Sequence, residues 1–362
     1  MSFAFNALYQ AALGLVYPSL PLYLYLKGVN VVTISLVVSA LGAGSLLGST
    51  ASGALYDRAR NKAALYLIEG ALTLASLIAL AMPLGIYGLA ASALAFSAFS
   101  SSLYPVIMSN LIHKGAERAV GLFWAGGSLG WALGTGVAGE LLSIGPWALF
   151  ASASAVLSAA IAVGLYIRAE AQQPQSVEGG SAHLVVIYAA AALIVFSIDI
   201  VKNMYLPSFY VYIGVPEQLS TVTLSVEALL EIPAILYFAG LVERRGARFV
   251  LAISLALSSA FVAVNSLVRN TVEAFVAMAS YCLVWGSFSV SSSLLFAEVG
   301  GRRRGLAFGA YGALYSIAGI ITPLYLGPMI AAWGYRVSFK VVALPPLVIL
   351  ALLALIRNKK SI

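Results

Sequence analysis

The sequence predicts an all-α integral membrane protein of twelve spans, arranged as two pseudo-symmetric six-helix halves. Three observations predict it: scarce charge, long apolar runs, and a repeat at a shift of 186 residues. Of the 362 residues, 61% are hydrophobic and 9% charged. A soluble domain has about 45–50% apolar and about 25% charged residues. So few charges cannot cover a compact soluble surface, which excludes a soluble enzyme, a nucleic-acid module and a disordered chain. Cys282 is the one cysteine, so neither an intrachain disulfide nor a cysteine metal cluster is possible. No metal or other cofactor is expected.

Spans are expected, in order, at 3–26, 31–55, 63–83, 86–109, 119–142, 146–167, 184–208, 218–241, 249–268, 272–297, 305–330 and 337–356. Each is near the ~20 apolar residues a bilayer requires. A spanning barrel would show shorter alternating segments. The start of the chain has no basic region ahead of its apolar run, so it reads as the first span. Residues 168–183, rich in Gln, Gly and Ser, form the only long polar interruption. They divide an N-terminal half, 1–167, from a C-terminal half, 184–362, as a cytoplasmic linker.

Lysine and arginine placement sets the orientation. With the N-terminus inside, fifteen of the twenty basic residues fall in inner segments, from Arg58, Arg60 and Lys62 to Arg357, Lys359 and Lys360. Lys27, Arg269, Arg336 and Lys340 fall outside, and Lys202 lies within a span. Both termini are therefore expected in the cytoplasm, at the plasma membrane. The net charge of +7 reports topology, and no loop is long enough to form a basic nucleic-acid-binding domain.

At the shift of 186, Pro21 meets Pro207 and Gly28 meets Gly214. Asp57 meets Glu243, Arg58 meets Arg244, Lys62 meets Arg248, Arg118 meets Arg304, and Gly126 meets Gly312. An even number of spans per half implies a parallel repeat, an architecture of alternating-access transporters with a midplane site.

Between spans two and three runs Gly53-Ala54-Leu55-Tyr56-Asp57-Arg58-Ala59-Arg60-Asn61-Lys62. It resembles the G-x-L-x-D-R-x-G-R loop, closed by a basic residue, of the major facilitator superfamily. The second copy, Glu243-Arg244-Arg245-Gly246-Ala247-Arg248, keeps the glycine that Arg60 replaces. Pro21-Leu22-Tyr23-Leu24 resembles the end of that family's first helix, and Gly334-Tyr335-Arg336-Val337-Ser338-Phe339 the entry to its last. The resemblance implies the twelve-helix fold, with Gly53, Asp57, Arg58, Lys62, Glu243, Arg244 and Arg248 in gating loops. Physically, an Asp57 carboxylate suits a helix N-terminus, and Arg58 and Lys62 suit carboxylates or anionic head groups.

Glycines at 44 and 48, at 126, 130 and 134, and at 305 and 309 let helices approach closely. The family's antiporter motif has Gly-Pro where this chain has Gly134-Thr135, and span four lacks arginine. Both departures count against a drug–proton antiporter.

Ionisable groups inside spans are the strongest functional signal, because charge in a bilayer is costly. Asp199 and Lys202 share a face of span seven, and Glu227 and Glu231 a face of span eight. Three acids against one base leave a carboxylate for protons or for a cationic substrate. Asn6, Gln10 and Tyr17 in span one, Asn203 and Tyr205 in span seven, and Tyr281 and Trp285 in span ten suit a small organic ligand. Glu69 reads as a local pairing residue, and His113 and His183 as solvated.

The expectation is a monomeric secondary transporter in the lipid bilayer, moving a small-molecule substrate by alternating access, with proton coupling. A drug or metabolite efflux antiporter of the same fold is the alternative. A membrane-embedded enzyme and a non-transporting sensor are rivals from other classes. No phosphate-binding loop is present, so ATP does not drive it directly.

Overall fold

A computed structural model describes the backbone of residues 1–58, 61–112, 117–166, 182–300 and 304–355. It describes side chains over 1–51, 55, 61, 63–103, 123, 125–166, 184–296, 298 and 310–355. The described residues form helices joined by short turns. In the first half these are α1 (Ser2–Val16), α2 (Ser19–Leu26), α3 (Val31–Arg58), α4 (Lys62–Ala81), α5 (Ile86–Ile112), α6 (Glu117–Ile144) and α7 (Pro146–Gly164). In the second half they are α8 (Ala182–Met204), α9 (Leu206–Tyr212), α10 (Glu217–Arg245), α11 (Ala247–Asn265), α12 (Thr271–Ala279), α13 (Tyr281–Gly300), α14 (Arg304–Val342) and α15 (Leu344–Leu355).

Nine stretches among the described residues are long and apolar enough to cross a membrane. The count differs from the twelve expected for three local reasons. The first expected span is split at Tyr17 and Pro18 into α1 and α2. The described part of α6, 125–144, is long enough but rich in glycine and carries Glu140, so it falls short in apolarity. The last two expected spans share one apolar run, 310–355, broken at Gly334, where φ is +73°. Leu47, Leu133, Leu236, Val272 and Val348 each stand more than half exposed on the outer surface. Apolar side chains displayed this way need hydrocarbon around them, and the protein is an all-α integral membrane protein.

Caps define the turns. Asn30, Asn61 and Asn270 accept from the amides of Thr33, Ala64 and Glu273, at 2.9, 3.0 and 3.0 Å. Asn61 stands in the charged loop between the second and third spans, so that loop ends by capping α4.

The repeat is visible in backbone detail. The first expected span breaks between α1 and α2, and the seventh between α8 and α9, within two residues of equivalent positions. Beyond each break the chain turns on a left-handed glycine, Gly28 at φ +74° and Gly214 at φ +92°. The same three bonds close both turns. Lys27, Gly28 and Val29 donate to the carbonyls of Tyr23, Tyr25 and Leu24. Ile213, Gly214 and Val215 donate to those of Phe209, Val211 and Tyr210, each partner 186 positions on.

Glycine spacing sets the packing of α1 on α6. A Cβ at Gly126 would lie 2.6 Å from the Phe3 carbonyl oxygen. Cβ atoms at Gly130 and Gly134 would overlap the carbonyls of Ala7 and Ala11. Gly44 and Gly48 of α3 face Leu94 and Ala98 of α5 in the same way. Hydrophobicity does not drive association in lipid, so this close backbone contact is a main source of cohesion.

In the second half, Arg336 donates to the carbonyls of Ser266 (3.0 Å) and Val268 (2.8 Å), just past the end of α11. Its guanidinium also lies 5.8 Å from the centre of the Phe209 ring. This gives the Gly334-Tyr335-Arg336 segment a structural role: it caps a neighbouring helix where unpaired carbonyls collect. Arg336→Leu is expected to cost about 1–2 kcal/mol, read as a lower Tm of the purified protein.

The halves meet along two seams, α3 against α14 and α6 against α10. On the first, Ser39 donates to the Ile320 carbonyl (3.1 Å) and Ser316 donates to Ser45 (3.1 Å), and beside it Ser35 of α3 shares a hydrogen bond of 2.6 Å with Tyr205, between α8 and α9. Gly42 lies directly against Gly319. On the second, the Gly139 amide donates to Thr221 (3.0 Å) and Ser128 to Glu231 (3.1 Å). Ser35, Tyr205, Ser39, Gly42, Gly139 and Thr221 lie in the halves of their helices remote from the termini, and Ser45, Ser316, Gly319, Ile320, Ser128 and Glu231 lie near mid-depth. Among the described residues, the halves are therefore sealed on the far side from the basic end.

Candidate functional site

Four charged side chains meet at mid-depth because two helices present them at helical spacing. Asp199 and Lys202 stand one turn apart on α8, Glu227 and Glu231 one turn apart on α10. Lys202 Nζ lies 3.1 Å from Glu227 Oε2 and 3.4 Å from Asp199 Oδ1. It also sits 4.2 Å above the Tyr281 ring, whose face attracts a cation. All four are buried, none more than 7% exposed.

The Asp199 carboxylate is the best-supplied acceptor. Oδ1 accepts from the Tyr281 hydroxyl at 3.0 Å. Oδ2 accepts from Asn203 Nδ2 at 2.9 Å and from the Tyr315 hydroxyl at 3.2 Å. With Lys202 beside it, Asp199 is held in place from α8, α13 and α14.

The glutamates are supplied less well. Glu227 Oε2 takes the lysine, while Glu227 Oε1 is buried with no N–H or hydroxyl partner. The Glu231 carboxyl lies close to that of Glu227. Glu231 Oε2 also accepts from Ser128 of α6, at 3.1 Å, across the seam between the halves.

An aromatic wall stands on the basic side of this cluster. Phe196, one turn before Asp199, packs edge-on against Phe288, Tyr311 and Tyr315, with ring centres 5.0–5.2 Å apart. Trp285 lies 6.5 Å from Phe196 and 5.9 Å from Phe288, and Phe296 lies 4.9 Å from Tyr311. These separations and tilts are the favoured geometry for aromatic pairs. Ser292 joins the Tyr311 hydroxyl at 2.9 Å.

Between the halves, Tyr17, Val38, Leu41, Gly42, Ser45, Ile200, Met204, Tyr315, Ser316 and Gly319 enclose a cavity of about 20 Å³. A single water needs about 10–15 Å³, and a ligand pocket about 300–1,000 Å³. The seam there is closed to a solute.

The residues singled out from sequence divide into groups. Asp199, Lys202, Asn203, Glu227, Glu231 and Tyr281 come together as one cluster. Trp285 joins the aromatic wall instead. Tyr17 lines the small cavity and shares a 3.0 Å hydrogen bond with Ser97. Asn6 is fully buried and donates to the Phe123 carbonyl at 2.7 Å, tying α1 to α6 rather than facing a solute. Gln10 is half-buried on α1. Tyr205 belongs to the far-side seam.

In the loops, the side chains of Gly53, Asp57, Arg58 and Lys62 lie outside the described residues, as do His113 and His183. Glu243 and Arg244 are exposed at the end of α10. Arg248 donates to the Leu353 carbonyl at 2.8 Å, joining α11 to α15.

Sequence reasoning missed Ser128, Phe196, Tyr311 and Tyr315. Phe196 stands three residues before Asp199, and Tyr311 and Tyr315 are one turn apart, so a face-by-face reading of α8 and α14 would have found the tyrosines. Nothing in the sequence distinguishes Ser128 from other span serines.

The sequence profile of the Major Facilitator Superfamily matches residues 2–292. None of the curated proteins matches the chain in sequence. Solved structures match it closely in fold. A mutant form of the nucleoside transporter NupG superposes with a TM-score of 0.81 at 15% identity, covering 98% of each chain. A POT family transporter in complex with 5-aminolevulinic acid gives 0.80 at 11% identity, covering 98% of this chain and 94% of that one. A peptide transporter POT in complex with sulfate gives 0.80 at 14% identity, covering 98% and 92%. With the profile matching most of its length, the chain belongs to the Major Facilitator Superfamily, a family of membrane transporters rather than enzymes.

Proposed function

We propose that the protein moves a small organic solute by alternating access and couples that movement to protons through the cluster of Asp199, Lys202, Glu227 and Glu231. The carrying observation is the imbalance of that cluster. Three carboxyls share one ammonium, and Lys202 contacts only two of them directly. The third, Glu231, is met by another carboxyl and by the neutral hydroxyl of Ser128. A buried negative charge without a counter-charge is costly in a bilayer, and taking up a proton removes that cost. Glu231 is therefore the natural carrier. Its bond to Ser128 crosses the seam, so a change of charge there is felt where the halves must separate.

The closed far side supports the same cycle. With the basic end in the cytoplasm of the plasma membrane, as lysine and arginine placement favours, this arrangement faces inward. Rocking about the cluster would open the seams between α3 and α14 and between α6 and α10. By family resemblance, Asp57, Arg58, Lys62, Glu243 and Arg244 would meet at the opposite gate.

The test is uptake into proteoliposomes of a solute found by thermal-stabilisation screening. Glu231→Gln is expected to lose at least tenfold of pH-gradient-driven accumulation and to keep solute exchange without a gradient. Asp199→Asn, which retains hydrogen-bonding groups, is the companion variant. Full gradient dependence in both would exclude proton coupling through this cluster.

A further inference from the structure

We infer that the solute site is the aromatic wall on the basic side of the charged cluster, and that it takes an uncharged solute with a planar ring. The inference rests on the transport reading only for the movement of the solute once it has bound.

The charges are hidden, as are Phe196, Phe288 and Phe296, but three of the rings are not. Asp199, Lys202, Glu227 and Glu231 are at most 7% exposed, and their polar atoms are engaged mainly with one another and with Tyr281, Asn203 and Tyr315. Trp285, Tyr311 and Tyr315 are each partly exposed. Along α13, Tyr281, Trp285, Phe288, Ser292 and Phe296 recur at helical spacing on one face. That face contacts Asp199, Phe196 and Tyr311. Leu283 and Leu294, 40% and 49% exposed, mark the opposite, lipid-facing side. The partial exposure of Trp285 therefore opens toward the interior.

Depth agrees. Phe196 precedes Asp199 on α8, Tyr311 precedes Tyr315 on α14, and Trp285 follows Tyr281 on α13, so each ring lies nearer the basic end than the charge cluster. The far side is sealed by Ser35 with Tyr205 and by Ser39 with the Ile320 carbonyl, and Ser45 joins Ser316 at mid-depth. The seam contacts reach inward to the depth of Tyr315, and Phe196, Trp285 and Tyr311 stand on the basic side of them. On the first half, Gln10, beside Gly127, and Ser128, bonded to Glu231, are half-buried polar groups without charge. A charged solute would enter this low-dielectric space without an exposed counter-charge at mid-depth among the described residues. A planar ring instead finds partners for stacking and edge contacts, with hydroxyl and amide groups to orient it. Tyr315 links the two regions, since it borders the wall while its hydroxyl donates to Asp199.

The test uses the full-length protein in nanodiscs, with melting temperature and tryptophan fluorescence as readouts. The probes are uridine, inosine and nicotinamide as uncharged planar rings, uridine monophosphate and nicotinate as charged counterparts, and ribose and mannitol as solutes without a planar ring. At least one uncharged ring compound is expected to raise Tm by several degrees and to quench fluorescence, while its charged counterpart at equal concentration does neither. Trp285→Phe is expected to abolish the quenching, and Tyr311→Leu to weaken binding about tenfold. Tyr212→Leu, at the far end, should leave affinity unchanged. Stabilisation by charged or ringless probes equal to that by rings would overturn the inference, as would no stabilisation by any ring compound. Ring binding without solute counterflow would instead sink the transport reading and leave this one standing.

Discussion

Replacing Lys202 with methionine is expected to destabilise the protein by about 3–5 kcal/mol, the cost typical of breaking a buried ion pair by removing one partner. The ammonium contacts Glu227 at 3.1 Å and Asp199 at 3.4 Å, and it lies over the Tyr281 ring. Methionine keeps the length and loses all three interactions. The loss depends on pH with a definite sign. Protonated carboxyls need no counter-charge, so the deficit shrinks as pH falls and grows as pH rises. Thermal unfolding of both proteins across pH 4.5–8 measures this. A second substitution separates charge from packing: adding Glu227→Gln to Lys202→Met should recover a large share of the loss at pH 8. A deficit independent of pH, with no recovery in the double variant, would assign Lys202 a packing role only.

Gly130→Val is expected to disrupt the first half more severely than any single apolar substitution on its lipid face. The Gly130 Cα faces the Ala7 carbonyl with no room for a side chain, and Gly134 faces Ala11 likewise. Overpacking typically costs about 1–3 kcal/mol, and here the obstacle is backbone, which cannot swing aside as a side chain does. Gly312 is the control, because no atom lies within 4 Å of where its Cβ would stand. Gly312→Ala should be neutral or stabilising by up to about 1 kcal/mol through helix propensity. Expression and melting temperature in a mild detergent distinguish the two. Equal behaviour would mean that α1 and α6 do not depend on this approach.

How much of the site is legible in sequence varies with residue type. Asp199, Lys202, Glu227 and Glu231 stand out because charge is rare inside spans, and their three- and four-residue spacings put each pair on one face. Tyr281 and Trp285 stand out by type alone. Asn6 also looks like a solute contact and is instead bonded to the Phe123 carbonyl, since a buried polar group serves packing as readily as binding. Tyr315 is legible only through its one-turn spacing from Tyr311, and Ser128 is invisible because serine is common in spans. Their roles arise from partners 116 and 103 positions away, Asp199 and Glu231.

The sequence by itself determined the membrane class, the apolar spans and the repeat. These come from composition and local periodicity, which report what each segment requires of its surroundings. It also marked the charged residues of α8 and α10. Only the tertiary structure decided that Lys202 engages Asp199 and Glu227 while Glu231 turns to Ser128. It also decided that aromatic rings stand on the basic side of the charges, and that hydrogen bonds and close glycines join the halves toward the far side. The physical reason is rotation. Spacing along a helix says which residues share a face, but the face presented to a neighbour is set by close glycine contacts and seam hydrogen bonds between distant segments.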